Sequence, residues 1–319
     1  MIRAARLTFR LYRFELVAIL AYGLVLAVLA LVVAVRLEAV NPGVACLRTW
    51  IVEAAVIGPG CADPRVFLSR NEAEGGPVMA AMWLLPLVAG VLAGSVLVAR
   101  EIEHRTAQFA WSVGPSRRRW YLDRLLPVLA VVILATILPA IAAEVLEGAR
   151  QPWVDPLASA ADFGLRGPVP VALAIAALGI GVLVGALLGR MLPALIVAAL
   201  LVIALHAGTA FLPPLGMPLA ALDPTTAMSG LDGSLLVSSA WRTRDGRILT
   251  LEQAKALAPA GTADPYAWLF GDSGLTQVDL VVPARDVWQV EARESVLLLA
   301  IGAVGLVAAG VVVERRRPY

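Results

Sequence analysis

Glu101, Glu103, His104, Gln108, Trp111, Arg117, Arg118 and Arg119 all fall within the stretch 100–120. Carboxylates, an imidazole, an amide and a row of guanidinium groups at this density make ion pairs and hydrogen bonds; the spacing matches no bond-making constellation. Written as one helix over 101–113, Ile102, Thr106, Phe109, Ala110 and Val113 share a face, and Glu101, His104, Gln108 and Trp111 share the opposite one. A segment of that kind lies flat on a bilayer surface and offers its polar side to a soluble partner. The competing reading is plain solvated loop charge.

Elsewhere the side chains exclude several functions. His104 and His206 are the two histidines, so no HExxH metal helix exists, and no GxSxG nucleophile elbow occurs. Ser229-Gly230 and Ser273-Gly274 have no plausible histidine partner. No GxxxxGK[ST] loop is present to cradle nucleotide phosphates, so the chain is not expected to be an enzyme, and any ATP and Mg²⁺ belong to another polypeptide. Cys46 and Cys61 lie apart from any cluster of metal-binding spacing. They either form a disulfide in an oxidising compartment or remain two thiols. A net charge of +2 is too small to argue for nucleic acid, and none is expected as a partner.

The elements that must position these groups are membrane spans. Hydrophobic residues make up 60% of the 319-residue chain, against roughly 45–50% in soluble domains, and mean hydropathy is +0.81. Six apolar blocks, at about 15–35, 78–99, 125–143, 169–189, 191–212 and 295–313, approach the ~20 residues that cross a bilayer. The expected fold is an all-α polytopic membrane protein with six transmembrane helices. Its organisation is 1–14 as an interfacial helix, 15–212 as spans one to five with the charged segment 100–120, 213–294 as an outer segment, and 295–319 as span six with a basic tail.

Arginines set the expected orientation. Arg3, Arg6, Arg10 and Arg13 precede span one, Arg100 to Arg124 separate spans two and three, Arg190 lies between four and five, and Arg315 to Arg317 follow six. These short basic segments belong in the cytoplasm, with both termini inside. The arginines at 3, 6, 10 and 13 share one helical stripe, which reads as an interfacial helix or as ordinary flanking charge. Span interiors carry almost no ionisable groups apart from His206, which disfavours ion-coupled transport.

Small residues mark helix contacts. Gly181, Gly185 and Gly189 in span four, and Gly90 and Gly94 in span two, let backbones approach closely, within one subunit or between two. In the long outer segment, Leu235–Trp241 and Leu275–Val282 have strand character, and Thr250 to Gln253 form a helix-capping pattern. A small folded cap is expected there.

The run VAREIEHRTAQFAWSVGPSRRRW (98–120) resembles the segment after the second span in bacterial ABC transporter permeases of the ABC-two, or type V exporter, kind. Ala99, Arg100, Glu101, Glu103, Thr106, Trp111, Arg117, Arg119 and Trp120 carry the likeness. Pro283, Arg285, Trp288, Gln289 and Glu291 match the lead into the sixth span of the same family. Two departures stand out: Arg105 occupies a position where many relatives have glycine, and the surroundings of Gly114-Pro115 differ.

The resemblance implies a permease subunit in the bacterial plasma membrane, paired with a second permease subunit, identical or related. A separate ABC ATPase would dock on Glu101, Glu103, His104, Gln108 and Trp111, with Arg117 to Arg119 holding the ATPase or anionic lipid. It also implies a substrate route beside spans two and five. Export is what the resemblance implies, and the apolar Met79, Met82 and Trp83 there favour a hydrophobic, lipid-like or peptide cargo. A membrane-embedded sensor or assembly subunit with a ligand-binding cap is the alternative, and an intramembrane enzyme a more distant one.

Overall fold

The computed structural model describes residues 12–52, 56–107, 111, 116–155, 159–209, 216–223, 233–259, 262, 264–271 and 273–316. The interfacial helix expected over 1–14 lies almost wholly outside the described residues, as does Gln108. Among the described residues, six helices are long and apolar enough to cross a membrane. They are span one (Arg13–Glu38), span two (Gly76–Glu103), span three (Arg117–Arg150), span four (Val169–Leu188), span five (Met191–Thr209) and span six (Val287–Arg315). The protein is a multi-pass membrane protein.

Several helices run well past the apolar blocks. Asp63 caps a short helix, Pro64–Arg70, by accepting from the Arg65 amide, and a π turn at Asn71–Gly75 carries it into span two. The resulting 40 residues reach about 60 Å at 1.5 Å per residue, twice the hydrocarbon thickness. Span three is nearly as long and begins at a Ser116 cap that accepts from the Arg119 amide. Hydropathy marks only the part in lipid, so the overhanging turns escape it. At one end of the bundle they carry Arg100 to Arg124, here called the basic end.

Packing around span four decides the architecture. A Cβ on Gly94 would sit 2.6 Å from the Leu178 carbonyl, one on Gly185 would sit 2.8 Å from the Ser95 carbonyl, and Gly181 lies against the Gly94 backbone. Gly90 likewise abuts Ala177. The glycine pattern therefore joins spans two and four within one chain. Gly189 is different: at φ 64° it terminates span four as a left-handed cap, beside Arg316 and Ile102. The opposite side of span four meets span six through Gly179, Gly302 and Gly305, a contact that the glycine spacing within span four did not announce. Span one packs on span three, with Gly23 against the Ala135 carbonyl.

At the other end sits a four-stranded antiparallel sheet, in the order β1-β4-β2-β3, where β1 is Ala220–Leu222, β2 Leu235–Arg242, β3 Ile248–Leu249 and β4 Thr276–Val282. The sheet qualifies an all-α description, though helices dominate. Trp241 pairs with Gln277 and Leu249, and its ring is buried with Ala254 and Leu269. Thr250 and Gln253 form the reciprocal capping box that starts Leu251–Lys255. Cys46 and Cys61 are joined by a disulfide with Cα atoms 5.7 Å apart.

Charges also gather at the sheet end, where the apolar blocks concealed them. Arg166, only 1% exposed, donates to Glu144 Oε2 at 2.9 Å and to the Ala161 and Ser159 carbonyls. Arg150 bridges Glu147, Asp162 and Asn71. Spans three and six extend beyond residues 143 and 295, so Glu144, Glu147, Arg150, Glu291 and Glu294 belong to their terminal turns.

Candidate functional site

The site at the basic end is built where span two leaves the bundle. Its helix stops at Glu103; His104 and Arg105 turn, and Thr106–Ala107 resume a helical course. Arg105 has φ 61°, the left-handed region that glycine occupies without steric cost. The expected continuous helix over 101–113 is thus broken at its fifth residue. This is also the position where the sequence carries arginine in place of the resembling family's glycine.

The break redistributes the polar residues. Glu101 does not join an exposed docking face: it is 8% exposed and turned inward. Its Oε1 accepts from the Tyr12 hydroxyl at 2.9 Å and from Arg124 Nε at 2.6 Å. The Leu97 carbonyl lies 3.0 Å from the same hydroxyl and shares its single proton with Glu101. Burial, with the Glu101 carboxylate close by, pushes the Tyr12 phenol far above its ordinary value, so it remains a neutral donor. Beside this chain, Arg100 pairs with Glu15 at 2.9 Å. Spans one, two and three are thereby tied at one point.

Glu103 is exposed but occupied. Its Oε2 accepts from the Met191 amide at 2.8 Å, satisfying a free N–H at the start of span five. His104 and Arg105 are exposed. Trp111, expected on the polar face, is half-buried: its ring meets Trp120 edge to face at 5.6 Å, and the Arg117 guanidinium sits 4.8 Å above it. Arg117 also donates to the Glu314 carbonyl at 3.0 Å and to that of Arg316. Arg119 lies 3.9 Å from Asp123, while Arg118 is exposed. A cavity of about 380 Å³ opens among Tyr12, Arg100, Glu101, His104, Thr106 and Arg124.

The flank of spans two and five divides the residues expected along a substrate route. Met79 and Met82 are buried, at 3% and 5% exposure, so they pack the core and do not line an open path. Trp83 is 39% exposed and donates from Nε1 to His206 Nε2 at 2.7 Å. His206 is therefore held as a hydrogen-bond acceptor between spans. Among the described residues no cluster could hold a metal ion.

Sequence reading missed Tyr12, whose contacts with Leu97 and Glu101 span 85 and 89 positions, and the Arg124–Glu101 pair, which joins two helices 23 positions apart. The signal available was a tyrosine placed within a run of arginines ahead of span one.

A family model described as ABC-2 membrane transporter related matches residues 14–212, from span one through span five. No curated protein and no solved structure matches the chain.

Proposed function

Because the chain belongs to the ABC-2 membrane transporter related family, whose permeases generally work with an ABC ATPase, we propose that it is the membrane subunit of an ATP-driven exporter. In this reading a separate ATPase holds ATP and Mg²⁺ and docks at the basic end, which faces the cytoplasm of a bacterial cell, as short arginine-rich connections do. Two permease subunits, identical or related, form the transport unit. The apolar flank of spans two and five, where Trp83 meets His206, favours a lipid-like or hydrophobic peptide cargo.

The observation that carries the proposal is the connectivity of Glu101 and Glu103. Two residues apart, they fasten the exit of span two to Tyr12, Arg124 and the Met191 amide. A partner pressing on exposed His104 and Arg105 therefore moves several spans together. Coupling requires such a stiff connection, since a partner shifts the bundle only through contacts that differ between its two states. Docking falls to Glu103, His104 and Arg105; Glu101 transmits.

The test is a gentle detergent purification of tagged chain from its native membrane, with partners identified by mass spectrometry. A soluble protein bearing GxxxxGK[ST] is expected, and a His104→Glu, Arg105→Glu double variant is expected to lose it. Recovery of the chain with only partners that lack nucleotide motifs would replace this proposal with the sensor reading.

A further inference from the structure

Spans three and six leave a groove of about 350 Å³ between them at the basic end. Leu122 and Leu125 wall one side, Val307 and Val311 the other, and Gly310 brings the Tyr121 ring close to the floor. Tyr121 seals the deep end by donating to the Leu306 carbonyl at 2.8 Å. On span three, residues 118, 122 and 125 follow one another along a single helical face. On span six, residues 307, 311 and 314 do the same in the opposite direction. Arg118 and Glu314 consequently stand together at the mouth, two turns from the deep end, about 10 Å away at 1.5 Å per residue.

Among the described residues, these two charges stand unpaired beside engaged neighbours on span three. Arg117 is bound to span six carbonyls and Trp111, and Arg119 to Asp123. Arg118 and the Glu314 carboxylate line the same groove without pairing to each other, and neither side chain has a hydrogen bond or ion pair among the described residues.

We propose that this groove binds a bilayer phospholipid with a primary amine headgroup, phosphatidylethanolamine. An acyl chain lies along the Leu122, Leu125, Val307 and Val311 walls, the phosphate meets the Arg118 guanidinium, and the ammonium donates to Glu314. An anionic headgroup satisfies Arg118 but sets a negative charge beside Glu314. A choline headgroup carries the positive charge without an N–H to donate. A lipid wedged here bridges the start of span three to the end of span six, next to the Arg117 staple. The inference rests on the membrane embedding of these two spans and not on the ATP-driven reading.

The full-length chain, purified and exposed to an equimolar mixture of phosphatidylethanolamine, phosphatidylglycerol and phosphatidylcholine, would be assayed by native mass spectrometry for retained lipid. Phosphatidylethanolamine is expected to be retained roughly fivefold over either competitor, the scale of one charge-assisted hydrogen bond in a half-exposed site. Glu314→Gln, a surface change that leaves the fold intact, is expected to erase the preference over phosphatidylglycerol. Arg118→Ala is expected to lower retention of all three lipids, and Gly310→Leu to fill the groove. Equal retention of the three lipids would overturn the proposal. So would a phosphatidylglycerol preference, or a phosphatidylethanolamine preference indifferent to Glu314→Gln.

Discussion

Arg124 Nε donates to Glu101 Oε1 at 2.6 Å, joining span three to span two where span two turns out of the bundle. Both side chains are largely buried and Tyr12 shares the same carboxylate oxygen. The motif that resembles a docking surface is therefore anchored from within.

Removing one member of this set strands the other. Arg124→Ala is expected to cost about 3 kcal/mol or more, because an uncompensated buried carboxylate remains. The change would appear as a lower midpoint for thermal loss of the monodisperse peak in detergent. Glu101→Gln keeps the hydrogen-bond acceptor but removes the charge. It is expected to retain the ATPase partner while reducing cargo-stimulated ATP hydrolysis several-fold.

Arg105 provides a second test. At φ 61° a side chain costs roughly 1–2 kcal/mol relative to glycine, less glycine's entropic penalty. Arg105→Gly is expected to raise thermal stability by up to about 1 kcal/mol while weakening ATPase recovery. Arg105→Val is expected to lower both, since a β-branched side chain tolerates this backbone poorly. Opposite movement of stability and docking in the glycine variant separates the two roles of the residue.

The span two and span four contact predicts a steric contrast. Gly94→Leu and Gly181→Leu drive side chains into backbone only about 3 Å away and are expected to abolish monodisperse protein, at a cost of about 3 kcal/mol or more each. Gly208→Leu, near the end of span five with nothing within 4 Å, is expected to behave as wild type. Size-exclusion profiles of the three variants decide this.

The Cys46–Cys61 bridge closes a loop of sequence separation 15, which by chain-entropy reasoning constrains the unfolded segment by about 3 kcal/mol. Reduction, or Cys46→Ser with Cys61→Ser, is expected to open residues 43–62 to limited proteolysis. The six spans are expected to stay intact, because the bridge ties only the short connection between the first two. Thiol alkylation before and after reduction measures the bridge directly.

Much of this architecture was legible along the chain. The six spans follow from apolar blocks, since hydrocarbon leaves a backbone no partners but its own helix. The strands Leu235–Arg242 and Thr276–Val282 and the Thr250 capping box are likewise local patterns, decided by residues within a few positions of one another. Tertiary structure decided what local periodicity does not contain. It broke the 101–113 helix at Arg105, turned Glu101 toward Tyr12 and Arg124, and gave Glu103 to the Met191 amide. It made Gly189 a cap where its spacing implied packing, and placed Met79 and Met82 in the core. In each case the deciding partner lies far away in sequence or on another helix. A repeat of 3.6 residues assigns side chains to faces, but only the packed bundle determines what each face meets.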